Sequence, residues 1–439
     1  MGLVFGACPP IRRARQAQNP DKIPPGERTV TAAEAGVAPD SVLSLDRAIE
    51  IALAYNPNVV QARQSVVVAK YQYRSALAGY APGLSADAGY QRATGNVPGQ
   101  SPSNKSHNSY SADVNGSILL FDFWKTPSAV KQARAKYSAA EQSLNATIND
   151  TTYQVNLAYY GLTKAKALEN VALDTVRQYQ VHLDQTQELF NVGRRIKYDV
   201  TKAEVDLGNA RLSLISAQNT VQTSRATLNL SIGLAEATSY QTVEPPLENA
   251  DYNLEALMAK AREQNPQLRS LIALETAANA AVNQSISSLF PVITFGAGAN
   301  WKGTNFPLVW NWAFGPTLQW NIFDGLRNLN NIDQATALLR TARAQRAALE
   351  QQIYLDLSTA VAKLQNARHS LTLSDLIVQQ AQENLNLVDE RFRVGRASSV
   401  ELTDAQVALT SARASQVQAR YDYQTAVAQA KHAIGGGSQ

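Results

Sequence analysis

Cysteine is nearly absent from this 439-residue sequence, in which Cys8 is the single example. One thiol builds neither a disulfide framework nor a thiolate metal site. The four histidines, His107, His182, His369 and His432, are scattered along the chain without the spacing of metal ligands. A phosphate-binding glycine loop and a nucleophile motif are also missing. We therefore expect no cofactor and no enzyme activity.

Long apolar runs and clustered charges are missing as well. No window approaches the roughly 18 apolar residues of a membrane-spanning helix, so we expect any bilayer crossing to use β-strands. The formal net charge of +4 is small and spread along the chain, which argues against nucleic acid as a partner. The segment from Met1 to Cys8 ends like the lipobox of a bacterial lipoprotein. Cys8 is thus either a lipid attachment site or an incidental thiol in a leader.

The sequence contains two related halves. Asn56-Pro57 recurs as Asn265-Pro266 at an offset of 209 residues, and Phe121-Asp122 recurs as Phe323-Asp324 at an offset of 202. Ordered matches at fixed offsets indicate a tandem duplication. We predict a leader over 1–42, a first repeat over 43–233, a linker over 234–251, a second repeat over 252–435 and a tail over 436–439.

Each half is predicted to have the same order of elements. A helix from Leu45 or Leu254 breaks at Asn-Pro, because the residue before proline is pushed out of the helical region. A second helix runs to Pro82 or Pro291. Two strands, a very long helix, a tight turn and a shorter helix follow.

Alternation of apolar and polar residues identifies the strands. The apolar members are Leu84, Ala86, Ala88 and Tyr90; Tyr110, Ala112, Val114, Ile118 and Leu120; Ile293, Phe295, Ala297, Ala299 and Trp301; and Trp310, Trp312, Phe314, Leu318, Trp320 and Ile322. This period is typical of a membrane barrel with a wet lumen, and equally of a soluble sheet with one buried face.

The tryptophans favour the membrane interpretation. All five lie in or beside these strands, as an aromatic girdle would require: Trp124, Trp301, Trp310, Trp312 and Trp320. Four strands cannot close a barrel, and an open edge in lipid leaves backbone groups without partners. The membrane interpretation therefore predicts that other copies of the chain complete the barrel.

The long helices carry a coiled-coil pattern. From Ile353 to Phe392 the apolar seam of a helix predicted over Arg327 to Arg393 alternates spacings of four and three. The shorter helix repeats this rhythm from Val200 to Leu228. About 65 residues at ~1.5 Å each give a strut on the order of 100 Å, so the shorter helix needs another stacked on its end. A tube continuing a barrel and a fibrous tether both fit this pattern.

These features together resemble the TolC family of outer-membrane efflux proteins, from about Leu43 to Gly435. The resemblance is carried by Leu45, Ala48, Ala52, Asn56-Pro57, Phe121-Asp122 and the turns Phe190 to Gly193 and Phe392 to Gly395. It implies an α+β membrane protein, in which a long α-helical coiled-coil barrel joins a transmembrane β-barrel. Trimerisation would complete the β-barrel with four strands from each subunit.

The resemblance also implies a function and partners. A homotrimer in the outer membrane of a Gram-negative bacterium, in contact with its lipid, would extend a helical tunnel into the periplasm. There a periplasmic adaptor (membrane fusion) protein would connect it to an inner-membrane pump. The chain would then be a passive duct for small molecules or drugs. A duct for type I protein secretion and a non-conducting structural tether are the alternatives.

In the family, the helical turns form the inner end of the tube and meet the adaptor. The implied docking tips are Val192, Gly193, Arg194, Val394, Gly395 and Arg396. Glycine just past a helix end adopts the left-handed conformation without steric cost, so the two glycines also have a purely structural explanation.

Glu401 and Asp404 match acidic positions that ring the periplasmic gate in the family, and Asp199 matches an acidic position that latches neighbouring helices. The latch candidates beside them are Tyr198, Phe392, Arg393 and Arg396. This sequence departs from the family pattern, because the basic latch residue falls on Ala397 and the aromatic one, Phe392, lacks a hydroxyl. Ser398 to Glu401 also has the pattern of a capping box, and Asp199 is suited to cap its helix.

Overall fold

The computed structural model describes residues 30–38, 41–94, 106–235, 238, 240–248 and 253–436. Cys8, with most of the predicted leader, lies outside these ranges, so the lipid attachment stays a prediction. Parts of the predicted linker and the last three residues also lie outside them.

The chain forms two compact units, and each takes segments from both halves of the sequence. The first comprises Met1–Arg63, Leu144–Pro266 and Glu350–Gln439. The second comprises Gln64–Ser143 and Gln267–Leu349. The units therefore do not coincide with the two predicted repeats.

Apart from two short strands that were not predicted, Val42–Leu43 and Gln241–Thr242, the order of elements follows the prediction in both halves. The helices are α1 (Leu45–Tyr55), α2 (Pro57–Leu77), α3 (Lys125–Asn191), α4 (Lys197–Ile232), α5 (Leu254–Gln264), α6 (Pro266–Ser287), α7 (Arg327–Arg393) and α8 (Ser399–Ile434). The strands are β1 (Val42–Leu43), β2 (Gly83–Thr94), β3 (Ser106–Phe121), β4 (Gln241–Thr242), β5 (Val292–Gly303) and β6 (Val309–Gln319). None of the described helices is long and apolar enough to cross a membrane.

The second unit contains a four-stranded antiparallel sheet in the order β2-β3-β5-β6. Strand β3 of the first half pairs with β5 of the second, so the two halves share one sheet. In the described chain, β2 and β6 are the edge strands, and no further strand pairs with their outer sides.

The pairing register gives this sheet two unlike faces. One row across the four strands consists of Ala86, Val114, Ala299 and Trp312. The adjacent row, on the opposite face, consists of Asp87, Asp113, Asn300 and Asn311. The predicted apolar residues that keep this register therefore lie on one face, which confirms the strand assignment within β2, β3, β5 and β6. Leu120 is the exception within β3, because the register with β5 shifts between Leu119 and Phe121. That face is open, since Trp310, Trp312 and Phe314 are 60%, 62% and 65% exposed.

Some element boundaries differ from the prediction. Strand β6 ends at Gln319, so Trp320 and Ile322 lie beyond it. The indole Nε1 of Trp320 instead donates a hydrogen bond to the carbonyl oxygen of Leu289, at 3.0 Å. The second helices end at Leu77 and Ser287, before the prolines that were expected to stop them.

The coiled-coil seams are where the sequence predicts them. In α7, Leu357, Leu364 and Phe392 are buried, and in α4 the same holds for Leu207 and Leu228. The first unit has a further core around α3, where the Tyr159 hydroxyl lies 2.9 Å and 2.7 Å from two backbone carbonyl oxygens. Burial raises the pKa of this hydroxyl to about 12, so it remains a donor at neutral pH.

The Asn-Pro breaks hold the ends of the shorter helices. Asn56 donates from Nδ2 to the carbonyl oxygen of Ser231 at 2.8 Å, and Asn265 donates in the same way to Ala433 at 3.2 Å. Carbonyls in the last turn of a helix lack partners within the helix, so the amides satisfy them. Gly435 follows α8 with φ +90°, and a Cβ added to it would lie 2.9 Å from the Asn265 Cα.

Replacing Gly435 by alanine should therefore destabilise the protein more than the same change at Gly395. Both residues are left-handed, but a Cβ on Gly395 meets nothing within 4 Å. Left-handed backbone costs about 1–2 kcal/mol in either variant, whereas the clash adds roughly 1–3 kcal/mol only at Gly435. The midpoint of thermal unfolding, followed by circular dichroism, should be highest for the wild type, lower for Gly395→Ala and lowest for Gly435→Ala. Equal midpoints for the two variants would contradict the close approach.

Candidate functional site

The two helical turns of the first unit have the same backbone geometry. Gly193 and Gly395 have φ of +76° and +74°, as predicted for glycine just past a helix end. The amide of Arg194 donates to the Leu189 carbonyl, and that of Arg396 donates to the Arg391 carbonyl, each at 2.8 Å. This bond pattern closes the last turn of α3 and of α7 and reverses the chain.

Apolar side chains project from both turns. Val192 and Val394 are 70% and 71% exposed, although valine is usually buried. Ile196 and the latch candidate Tyr198 are also exposed, at 65% and 64%. The predicted docking tips thus present apolar groups among arginines, which is a surface suited to contact with another protein.

The second turn leads into a capped helix. The Glu401 amide donates to Ser398 Oγ at 3.1 Å, and the Ser398 amide donates to Glu401 Oε1 at 3.2 Å. This confirms the capping box. The hydrogen bonds from Ser398 hold the pKa of the Glu401 carboxyl below its usual value, so it is ionised at neutral pH. Glu401 and Asp404 are both exposed, while Leu402 and Thr403 between them are buried.

Arg195 connects the two turns. Its Nη2 donates a hydrogen bond to the Ala397 carbonyl oxygen at 3.0 Å, and its guanidinium carbon lies 4.2 Å from the centre of the Phe392 ring. Its Nη1 is also 4.0 Å from the Asp199 carboxylate. Phe392 itself is only 1% exposed. One guanidinium group therefore contacts three positions that the sequence comparison with the family singles out.

A second polar link joins α4 to α8 just beyond the turns. Lys202 Nζ lies 2.7 Å from Asp206 Oδ2 on its own helix and 3.3 Å from Thr403 Oγ1. The Thr403 hydroxyl lies 3.2 Å from the same Asp206 oxygen and 3.0 Å from the Ser399 carbonyl oxygen. The start of α8 is thus held to α4 by a partly buried network.

The other latch candidates lie elsewhere. Arg393 is paired with Asp389 on its own helix at 2.8 Å. The Arg396 carbonyl oxygen accepts a hydrogen bond from Arg391, whose guanidinium is also 3.5 Å from Glu401. The described residues contain no group of three or more acidic, histidine or cysteine side chains placed to hold a metal ion.

The sequence profile of the outer membrane efflux protein family matches residues 48–234 and 257–436. The chain belongs to this family. It is 25% identical over 406 residues to the probable efflux pump outer membrane protein TtgC of Pseudomonas putida, covering 90% of this chain and 83% of that protein. It is 22% identical over 395 residues to the cation efflux system protein CusC of Escherichia coli, covering 89% of this chain and 86% of that protein.

A solved structure has the same fold. The CmeC outer membrane channel of Campylobacter jejuni superposes with a TM-score of 0.81 at 16% sequence identity. The match covers 90% of this chain and 86% of that chain. The two chains therefore share the same fold of helices and sheet.

Arg195 is a residue of this site whose contacts the sequence analysis did not predict. It lies 202 residues before Ala397, so the two occupy equivalent positions of the two halves. The arginine absent from the second turn is present in the first, and it reaches back to the Ala397 backbone. Comparing equivalent positions of the halves would have pointed to it.

Removing Arg195 should loosen the second turn. Arg195→Ala loses a cation–π contact and a charge-assisted hydrogen bond, together worth about 1–3 kcal/mol, and should speed amide exchange over residues 392–399 by roughly tenfold. Arg195→Lys should not restore protection, because lysine lacks the planar group that both stacks and donates. Hydrogen exchange with mass spectrometry measures this. Arg194→Ala is the matched control, since Arg194 is exposed. Protection that is unchanged in both Arg195 variants would contradict the link.

Proposed function

We propose that this protein is the outer-membrane channel subunit of a tripartite efflux system, through which an inner-membrane pump exports small molecules or drugs. The observation that carries the proposal is the sheet of β2, β3, β5 and β6, which has an exposed apolar face, a polar face and two edges unpaired in the described chain. A membrane barrel needs these two faces, and it needs further strands at these edges.

A homotrimer would supply the strands that are needed at the two edges of the sheet. Each copy would contribute four strands, so that three copies close one twelve-stranded β-barrel and place their long helices in a periplasmic α-barrel. The exposed aromatic residues of the apolar face, among them Trp301, Trp310 and Trp312, would meet lipid. Trp124 and Trp320, which are 64% and 52% exposed, would extend the aromatic girdle.

Recurring contacts support the tandem duplication, with repeats over 43–233 and 252–435. Arg211 Nη2 donates to Gln180 Oε1 at 3.1 Å, and Arg413 Nη2 donates to Gln382 Oε1 at 2.8 Å. Both residues of the second pair lie 202 positions after those of the first. The amides of Asn56 and Asn265, which are 209 positions apart, also make equivalent contacts, because their carbonyl partners Ser231 and Ala433 are 202 positions apart.

The turns are the proposed contact with the periplasmic adaptor and the proposed gate. The exposed tips at Val192, Gly193 and Arg194, and at Val394, Gly395 and Arg396, would meet the adaptor. Glu401 and Asp404 would each occur three times around the trimer axis and form a ring of six carboxylates. Asp199, near Arg195, would help to hold the helices together at this ring.

Relatives leave the cargo open, because TtgC is named for an efflux pump and CusC for cation efflux. Type I protein secretion stays an alternative with the same architecture. A lipid on Cys8 would add an anchor to the outer membrane and is a separate prediction. We propose no enzyme activity, since the chain would act as a passive duct.

The proposed gate can be tested in planar lipid bilayers. The wild-type protein should form cation-preferring pores that trivalent cations block, because a ring of carboxylates attracts multivalent cations. Glu401→Gln with Asp404→Asn should weaken this block by at least about tenfold, which corresponds to 1.4 kcal/mol. Glutamine retains the acceptor of the capping box, so the helix start stays intact.

The matched control is Glu383→Gln with Glu390→Gln, which removes two carboxylates from exposed positions of α7. It should leave the block unchanged. The same block in wild type and in the Glu401/Asp404 variant would remove these residues from the gate. A protein that carries no current at all would favour the non-conducting tether.

A further inference from the structure

A cavity lined by polar and apolar residues lies between α3, α7 and α8 close to the turns. Its volume is about 280 Å³. Its lining residues are Arg177, Gln178, Val181, His182 and Gln185 from α3, Leu385, Asn386, Asp389 and Arg393 from α7, and Leu402 and Gln406 from α8.

Two buried polar groups of this cavity are unpartnered. His182 and Gln406 are 2% and 6% exposed. The His182 Nε2 and the Gln406 Oε1 have no hydrogen-bond partner in the described part of the chain. Buried polar atoms normally have partners, so each one that lacks a partner calls for an explanation.

The neighbours of His182 indicate which of its nitrogens is free. The Thr186 hydroxyl donates to the His182 carbonyl oxygen at 2.8 Å, and its oxygen lies 3.5 Å from the His182 Nδ1. Because the hydroxyl proton is used, that oxygen is left to accept from Nδ1–H. The Nε2 lone pair is then the free site, so it can bind a proton.

Charged groups of both signs surround the imidazole. Asp206 and Lys202 of α4, Asp389 of α7 and Arg195 of the first turn all interact with it electrostatically. Arg177 and Arg393 line the same cavity, whereas α8 contributes only the neutral Leu402 and Gln406. Burial is the largest influence and lowers the pKa of His182 below its ordinary value.

The imidazole is in contact with the ring that Arg195 also covers. The centres of the His182 and Phe392 rings are 5.3 Å apart, in an edge-to-face arrangement. The guanidinium of Arg195 lies 4.2 Å from the same Phe392 ring. A positive charge on His182 would therefore arise beside an aromatic ring that already has a cation next to it.

We propose that His182 is a proton-binding site close to the two helical turns. Protonation of its Nε2 would loosen the packing of α3 against Phe392 of α7. The protonated imidazole is more stable when it is hydrated, and separation of α3 from α7 would admit water to it. Neutral His182 would keep the turns packed, and acidification would release them.

Acidification should destabilise the packed arrangement, because packing and proton binding are linked. In the packed state the pKa of His182 is lowered, whereas a hydrated His182 has the ordinary value of about 6.5. As the pH falls below that value, the open arrangement binds the proton first, so the packed one loses stability. Each unit of difference in pKa shifts the equilibrium about tenfold. Above about pH 7 the packed arrangement keeps its full stability.

Hydrogen exchange of the full-length protein tests the proposal without requiring channel activity. Between about pH 7.5 and pH 5.5, amide protection over residues 179–192 and 385–402 should fall in the wild type, after correction for intrinsic exchange rates. His182→Gln cannot titrate in this range, so its protection should not depend on pH. His369→Gln, at an exposed position of α7, is the matched control and should behave like the wild type.

A second measurement uses the unmodified protein, in case His182→Gln does not fold. Exchange of the imidazole C2 hydrogen, followed over a range of pH, gives the titration midpoint of each histidine. The midpoint of His182 should lie below about 6.5, the ordinary value of a hydrated imidazole. A midpoint at or above that value, or a pH response that is the same in wild type and His182→Gln, would overturn the proposal. Neither readout depends on whether the protein conducts ions.

Discussion

In lipid, the backbone groups along the outer sides of β2 and β6 need hydrogen-bond partners. Strands from other copies of the chain would supply these partners, and the remaining features of the molecule are consistent with this arrangement. The same sheet exposes an apolar face rich in tryptophan. Lipid would accept that face but would not accept the open edges. The proposed closure of the sheet around an axis, with strands from other copies, would meet both conditions. The long helices do not face this problem, because their backbone groups bond within each helix.

The two halves of the chain have similar backbone contacts but different side chains at their turns. Their turns have the same backbone bonds, and their Asn-Pro breaks make the same contacts. At equivalent positions, however, Arg195 corresponds to Ala397 and Asp199 corresponds to Glu401. The first turn therefore carries the guanidinium, and the second carries the capping carboxylate. The two turns therefore share their backbone geometry but differ in their side chains, and His182 is buried beside them.

Most of the fold could be predicted from the sequence, because it depends on local periodicity. The heptads of α7 and the alternation of β5 fix which side of each element is buried or apolar. The end of β6 could not be predicted, since Trp320 is held by a carbonyl far away in sequence. The contacts of Arg195 and the burial of His182 were also missed. Both depend on packing between helices of different halves, which no local pattern encodes.

Cryo-electron microscopy of the detergent-purified protein tests the central claim most directly. The account predicts a particle with threefold symmetry, in which β2 of one subunit pairs with β6 of the next and twelve strands close a barrel. The pairing of these two strands is the decisive feature, because it is where the backbone groups find their partners. A stable monomer, or an oligomer in which the outer sides of β2 and β6 stay unpaired, would contradict it.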